Sequence, residues 1–213
     1  MRIEFNGVNA DLLPEKALWL PGCRVLVVAD THFGKDASFR KSGLAVPRGS
    51  SEETLSQIDS LVSRYRPNSL VFLGDMFHAK CSLTAELNDG LRDFFRRHSG
   101  VSMHLTLGNH DVAADRFPVE WPLEVSRSLC VEDTTFEHFP RELGDGERLV
   151  CGHLHPAVKI DDVGRLPCFW LSGSQLVLPA IGEFTGAKTI VPSPEDRVWI
   201  TDGSNVHEFA YSR

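Results

Sequence analysis

The 213 residues suit one domain, and a hydrophobic content of 42% is ordinary for a globular protein with a buried core. The formal net charge of −7 argues against broad adhesion to nucleic acid, although a local basic groove is compatible with it. Five cysteines without a close pair disfavour a disulfide framework and a thiolate zinc site. No apolar run is long enough for a membrane helix and the N-terminus lacks a signal-peptide core, so we expect a single cytoplasmic domain over residues 1–213.

The first half of the chain alternates between strand and helix patterns. The segments with the apolar pattern of strands are 2–5, 17–20, 24–29, 70–73 and 103–107. The segments with helical spacing are about 50–66, with Glu53 completing a capping box, and about 84–97. Segment 33–51 is rich in Gly, Lys and Arg without regular periodicity, which predicts a long functional loop. The alternation of strand and helix predicts a parallel sheet with right-handed crossovers.

The second half of the chain consists mostly of strand patterns. The predicted strands lie at 125–136, 148–151, 171–174, 176–177, 189–191, 198–201 and 206–209. Asp-Gly pairs at 145–146 and 202–203 are typical of hairpin turns. Together the two halves predict an α/β protein in which two sheets pack face to face with helices outside.

Four apolar strands each end in residues that can bind metal. The four exits are Asp30-Thr31-His32, Gly74-Asp75, Gly108-Asn109-His110-Asp111 and Gly152-His153-Leu154-His155. Each exit alone is more often surface polarity, but in an open α/β sheet ligands collect outside the carboxyl ends of the strands. Carboxylate, amide and imidazole together suit a divalent ion such as Mn²⁺, Fe²⁺ or Zn²⁺. The sequence therefore predicts one metal site, with Asp75 in its middle and able to bridge two ions.

These motifs resemble those of the calcineurin-like metallophosphoesterases, from about residue 25 to residue 188. That family combines Asp-x-His, Gly-Asp, Gly-Asn-His-(Asp/Glu), a lone His and Gly-His-x-His. The resemblance implies a four-layer α/β/β/α sandwich of two mixed sheets that holds two metals. One metal would take Asp30, His32, Asp75 and His155. The other would take Asp75, Asn109, His138 and His153, with His138 as the best candidate for the lone His because His98 and His104 come too early in the chain.

The same resemblance implies the chemistry. Two divalent cations, with Mn²⁺ expected first and Fe²⁺ or Zn²⁺ as alternatives, would acidify a bound water and orient a phosphate ester for attack. His110 would stabilise the transition state or protonate the leaving oxygen. Asp111 would orient His110 or cap a helix, and the sequence leaves both roles open.

Two further stretches resemble a bacterial subgroup, the ligase-associated DNA-damage-response metallophosphoesterases (PdeM). The stretches are 32–47 and 166–170 with 178–186, and Ile181 and Ala187 depart from the subgroup pattern. This resemblance implies a phosphodiester substrate such as DNA, and an ATP-dependent DNA ligase and a helicase as partners. The basic residues that could hold flanking phosphates, or merely form a solvated loop, are Lys35, Arg40, Lys41 and Arg48. His78 and segment 183–186 could line the site or serve as a cap and a core turn.

Three functional hypotheses remain open at this point. The first is a metal-dependent phosphodiesterase, an endonuclease acting on DNA or on nucleotides in a ligase-linked repair context. The second is a phosphomonoesterase or small-molecule phosphodiesterase of the same superfamily. The third is a non-catalytic docking subunit of a repair complex. A membrane-bound substrate is disfavoured because no amphipathic segment is present.

Overall fold

The computed structural model describes residues 1–47, 49–78, 83–114, 117–118, 120–183 and 185–210, and Arg48 lies outside these ranges. The strands in these residues are β1 (Arg2–Phe5), β2 (Val8–Leu12), β3 (Leu18–Leu20), β4 (Val25–Ala29), β5 (Ser69–Leu73), β6 (Ser102–Thr106), β7 (Leu123–Ser126), β8 (Ser128–Val131), β9 (Thr134–Glu137), β10 (Leu149–Cys151), β11 (Pro156–Ile160), β12 (Gly164–Ser172), β13 (Gln175–Val177), β14 (Lys188–Thr189), β15 (Arg197–Thr201) and β16 (Val206–Phe209). The helices are α1 (Lys35–Lys41), α2 (Ser50–Tyr65), α3 (Ala85–Arg97) and α4 (Asn109–Ala114).

The first sheet has the order β1-β2-β3-β4-β5-β6-β7. Strands β1 to β4 pair antiparallel, whereas β4 to β7 pair parallel. Strand β4 is buried along its whole length, and its side chains alternate between two cores. Leu26 and Val28 face α2 and α3, while Val25, Val27 and Ala29 face the second sheet. Burial on both faces explains why this strand has a continuous apolar sequence.

The second sheet packs against the first through a large apolar core. Its order is β14-β11-β12-β13-β10-β9-β8, with β15 beside β12 and β16 beside β15. Phe136, Phe169 and Trp199 of this sheet are fully buried against residues such as Phe5 and Val27 of the first. Burying a side chain of this size stabilises the fold by about 1.5–3 kcal/mol. The predicted α/β class with two mixed sheets is confirmed.

The helical layers are unequal. Helices α2 and α3 cover the first sheet through Ile58, Leu61, Leu91 and Phe94. No described helical residue belongs to the apolar clusters of the second sheet, and loop residues such as Leu143 and Leu154 pack against one of these clusters. Among the described helices, none has the length and apolar character required to cross a membrane.

The segment predicted as a long loop contains helix α1. Asp36 and Arg40 form an ion pair of 2.8 Å one helical turn apart. Ser51 at the start of α2 accepts a hydrogen bond from the Gly34 amide and donates one to Asp36. Tertiary contacts therefore stabilise a short helix that has no periodic sequence signal. The capping box expected at α2 is wrong, because its N-cap residue Gly49 has no side chain and no side-chain cap bond forms there.

Candidate metal centre

The strand exits converge at one edge of the molecule. In the parallel register, Ala29 of β4 pairs with Leu73 of β5, which pairs with Thr106 of β6, so Asp30 and Asp75 follow neighbouring strand ends. The second sheet reaches the same place from the opposite side, because the His153 amide donates to Asp30 Oδ2 at 2.9 Å. Both sheets thus contribute side chains to one site.

Two three-residue groups that each contain one carboxylate share this edge. The ligating atoms within each group lie within 4.8 Å of one another, and the groups are Asp30 with His32 and His155, and Asp75 with His138 and His153. His155 Nε2 is 3.2 Å from Asp30 Oδ1, and His138 Nε2 is 3.1 Å from His153 Nδ1. Asp75 Oδ2 is 3.6 Å from His138 Nε2 and 3.8 Å from His32 Nε2, so Asp75 lies between the two groups.

Backbone carbonyls set the orientation of several imidazoles. The Nδ1 atoms of His138 and His155 lie 2.9 Å and 2.8 Å from the carbonyl oxygens of Leu73 and Gly186. A carbonyl oxygen can only accept, so Nδ1 carries the proton and the lone pair of Nε2 points into the site. This is the tautomer that binds a metal through Nε2.

The donor set fits divalent cations. Asp30 and Asp75 are buried, and neither has a Lys or Arg within ion-pair distance among the described residues. Asp30 Oδ1 accepts no hydrogen bond in the described structure. Two buried carboxylates without a cation are costly, whereas ions between the two groups would satisfy both. Their mixed oxygen and nitrogen donors suit Mn²⁺, Fe²⁺ or Zn²⁺.

Most of these residues have a left-handed backbone conformation. The φ angles of Asp30, His32, Asp75, His153 and His155 are 53°, 45°, 47°, 68° and 46°. A non-glycine residue pays about 1 kcal/mol or more for this conformation, and such residues cluster where a site requires them. The left-handed turn lets a side chain follow a strand end and still point back over the sheet edge.

Gly152 allows the two sheets to meet closely at the site. A Cβ on Gly152 would lie 2.5 Å from Asp30 Oδ2 and 3.0 Å from the Ala29 Cβ. Only glycine permits this approach, and the close approach lets the next residue, His153, donate its amide to Asp30.

Burial and neighbouring cations keep two imidazoles neutral. Burial lowers the pKa of His32 to about 2, and the Lys35 ammonium adds to the effect. Burial likewise lowers the pKa of His78 to about 4, again with Lys35 contributing. For His155 burial is the largest influence and acts downward, but the Asp30 carboxylate and the Gly186 carbonyl together outweigh it and raise the pKa. Neutral His32 is the form that binds a metal.

The low pKa of His32 predicts that acid destabilises the metal-free protein. In the unfolded chain this pKa returns to near 6.5, so below that pH the unfolded state binds a proton that the folded state excludes. We expect the free energy of unfolding to fall by about 1.4 kcal/mol per pH unit on acidification through this group alone. Urea unfolding at pH 7, 6 and 5 measures the slope. His32→Asn should flatten the slope, whereas His207→Asn on exposed β16 should not; equal slopes in both variants would contradict the prediction.

The site opens into a cavity of about 490 Å³ that reaches the surface. Its walls include His32, Lys35, Asp75, Asn109, His110, His153, Leu154, His155, Gly186, Ala187 and Lys188. Asn109 is exposed at the start of α4 and faces this cavity. The structure thus gathers all seven predicted ligands around one cavity or in its floor, including His138, which is fully buried beneath it.

His110 and Asp111 have different neighbours. His110 Nδ1 donates to the His78 carbonyl oxygen at 2.7 Å, and its Nε2 is 4.0 Å from Asp75 Oδ2. Asp111 has no contact with the His110 ring; it accepts hydrogen bonds from the amides of Gly108 and Met76 at 3.0 and 2.8 Å. Of the two roles left open for Asp111, the structure favours the helix-start role, as the third helical residue reaching back to the N-cap amide.

The predicted phosphate-binding residues differ in placement. Lys35 lines the cavity, where burial lowers its pKa against the opposing effect of Asp75 and Asp30. Arg40 instead pairs with Asp36 and donates to the Pro47 carbonyl, so its guanidinium supports the loop. Arg48 lies outside the described residues.

Two features of the site were not predicted from the sequence. Lys188 lines the cavity as an exposed cation. The Ile181 amide donates to the Ala29 carbonyl at 2.9 Å beside the Asp30 turn. The Gly186 carbonyl oxygen, which orients His155, belongs instead to segment 183–186, for which a place beside the site was one of the two predicted roles. The only signal for these contacts was the subgroup stretch 178–186, in which Phe184 lies outside the described residues.

Comparison with known proteins supports the same assignment. A family model described as calcineurin-like phosphoesterase matches residues 23–191. The chain belongs to the calcineurin-like phosphoesterase family. It is 30% identical to the Pseudomonas putida nuclease MPE, whose crystal structure matches with a TM-score of 0.86 over 98% of this chain and 99% of that chain. Comparison with curated proteins gave no match.

Two other solved structures are more distant from this calcineurin-like phosphoesterase. The phosphoesterase Yfce from E. coli is 15% identical, with a TM-score of 0.45 over 84% of this chain and 87% of that chain. AQ665 from Aquifex aeolicus, a protein of unknown function, is 17% identical, with a TM-score of 0.44 over 66% and 81%. Family membership and the nuclease neighbour identify the chain as a metal-dependent hydrolase of phosphate esters.

Proposed function

We propose that this protein hydrolyses phosphodiesters of nucleic acids or nucleotides with two divalent metal ions, Mn²⁺ being the expected species. The observation that carries the proposal is the pair of Asp and His groups that meet at Asp75 on the floor of an open cavity. The similarity to the Pseudomonas putida nuclease MPE, which extends over nearly the whole chain, supports a nucleic-acid substrate. Lys35 and Lys188 in the cavity wall add the positive charge that a polyanion requires.

The residues of the site have separate roles in metal binding, phosphate binding and proton transfer. Asp30, His32, Asp75 and His155 would hold one cation, and Asp75, Asn109, His138 and His153 the other. The cations supply charge that polarises a phosphate and activates water. Lys35 attracts the phosphate. His110, with Nδ1 fixed by the His78 carbonyl, presents Nε2 to the cavity, where it can hold or deliver a proton at the leaving oxygen.

His110→Ala tests the last of these roles. We expect kcat to fall about 10²–10⁴-fold, the usual contribution of a positioned acid or base, while the protein retains its Mn²⁺. Metal content by mass spectrometry and diester hydrolysis measure the two effects. His110 also lies within 4.8 Å of His32 and His78, so loss of metal in this variant would assign His110 to metal binding instead. His207→Ala on the exposed strand β16 is the control.

A substrate panel tests the proposed function. The protein, purified without chelator and supplied with Mn²⁺, is assayed on single-stranded, nicked and duplex DNA and on a small phosphomonoester. Cleavage of at least one DNA supports the proposal. Turnover of the monoester without cleavage of any DNA would replace it with the phosphatase alternative, and no turnover of any ester would favour a docking subunit. Pull-down with an ATP-dependent DNA ligase and a helicase tests the proposed repair partners separately.

A further inference from the structure

A second cavity adjoins the candidate metal centre. It has a volume of about 550 Å³, within the range of small-molecule sites. We name it the Phe139 groove, and the residues of its wall that matter are Asn109, Val112, Arg127, Glu137, His138 and Phe139. Strands β8 and β9 form one side of it and helix α4 the other.

The Phe139 groove begins where the metal centre ends. Asn109 lines both cavities, so the two are neighbours at this residue. The ring centroid of Phe139 is 4.6 Å from that of His138 and 4.7 Å from that of His153, two candidate ligands of the same ion. A substituent on a phosphate held at the centre would therefore lie next to the groove.

The groove exposes apolar side chains to water. Phe139 is 43% exposed and Val112 is 70% exposed, one on each side. The Phe139 ring meets both imidazoles edge to face, at 82° and 60°, so the imidazoles fix its orientation. A fixed aromatic ring that remains partly exposed beside a phosphate site is a surface on which a nucleobase can stack.

The charge of the groove favours an anionic chain. Arg127 is exposed and forms no ion pair with any residue in the part of the chain that the structure describes. Glu137, the acidic residue of the wall, pairs with Arg141 at 3.1 Å, and Arg141 also pairs with Glu147 at 2.7 Å. Arg127 is the cation of the wall that has no carboxylate partner among the described residues, and its guanidinium is suited to a phosphate oxygen.

We propose that the Phe139 groove binds the nucleotide next to the scissile phosphate, an inference that rests on the proposed function. The base stacks on Phe139 with Val112 opposite, and Arg127 binds the phosphate that follows. A nucleotide is the occupant to which the exposed ring, the unpaired guanidinium and the proximity to the metal centre all point. The groove would thereby favour nucleotide diesters over small phosphate esters.

Calorimetry on the Mn²⁺-loaded protein tests the inference. The probes are inorganic phosphate, thymidine 3′- and 5′-monophosphate, and thymidine 3′,5′-bisphosphate, each verified to be intact after titration. We expect one monophosphate to bind about tenfold more tightly than phosphate, as expected for one stacked base. Phe139→Ala should bring the two affinities to about the same value, and Phe139→Trp should keep the tenfold difference. Arg127→Gln should remove only the additional affinity of the bisphosphate.

The ratio of nucleotide affinity to phosphate affinity separates the loss of stacking from damage to the metal centre. Damage to the metal centre would weaken the binding of phosphate and the binding of nucleotide together. Val163→Ala, an exposed truncation at the turn between β11 and β12, is the matched control. Equal affinity for phosphate and both monophosphates in the wild type, or an unchanged ratio in Phe139→Ala, would overturn the inference even if the DNA panel shows cleavage. A ratio that behaves as expected without any DNA cleavage would support the groove as a nucleotide site and would overturn only the DNA part of the proposed function.

Discussion

Asp75→Asn is expected to lower phosphodiester hydrolysis by two to four orders of magnitude and to weaken the binding of both metal ions. Asp75 lies between the two groups, 3.8 Å from His32 and 3.6 Å from His138, so its charge serves both. Removing one member of a buried charged set costs about 3–5 kcal/mol, which corresponds to this loss of rate. Steady-state kinetics and metal analysis by mass spectrometry measure the two effects.

The same substitution should act in the opposite direction on the metal-free protein. Asp75 is buried without a Lys or Arg partner among the described residues, so a neutral amide removes an uncompensated charge. We expect Tm of the chelated variant to equal or exceed that of the chelated wild type, and Mn²⁺ to raise Tm only in the wild type. The control is Asp93→Asn, whose carboxylate pairs with Arg96 on the surface of α3. Equal stabilisation by Mn²⁺ in wild type and Asp75→Asn would refute the bridging position.

Gly108→Ala is expected to reduce activity at least about a hundredfold, although it adds one methyl group. That methyl would lie 2.2 Å from Asp75 Oδ1 and 2.5 Å from the Asp75 backbone nitrogen. Because the second contact is with backbone, a rotamer change cannot relieve it, and Asp75 or the start of α4 must move. Overpacking of this kind costs about 1–3 kcal/mol of stability, and a displaced ligand disrupts the metal geometry. Urea unfolding and diester kinetics measure both losses.

Gly90→Ala is the matched control for this substitution. Its added methyl group would lie 3.4 Å from Leu55 Cδ2, an ordinary contact with the end of a flexible side chain. Gly90 is inside α3, where alanine gains up to about 1 kcal/mol of helix propensity. We expect Gly90→Ala to be as stable as the wild type or more so, with unchanged kinetics. Full activity in Gly108→Ala would mean that the Asp75 loop adjusts without cost.

The sequence predicted the site in outline because its signals are local. A buried strand needs a continuous apolar run, and a residue placed directly after the run must lie at the sheet edge. Asp30, Asp75 and His153 follow such runs, so their convergence could be expected before their distances were known. The assignment of His138 as a ligand required the family pattern as well, because the strand before it, β9, is short and only half buried.

The contacts made by loops could not be predicted in this way. Arg40 is suitable for binding phosphate, but its guanidinium pairs with Asp36 and Pro47. Asp111 is next to His110 in the chain, yet one of its partner amides belongs to Met76, which lies 35 residues away. Sequence neighbours identify which groups are available, whereas the partner of a buried carboxylate depends on which loop packs against it.

The sequence by itself determined the class of the fold, the strand exits and the kinds of donor atom, because apolar periodicity and residue type are properties of short segments. Only the tertiary structure decided that Asp75 lies between the two groups, that the Gly186 carbonyl orients His155, and that Phe139 borders the metal centre. These features depend on the register of two packed sheets and on contacts between distant loops. Such contacts form where burial and hydrogen-bond satisfaction are best for the whole chain, and no local pattern encodes that balance.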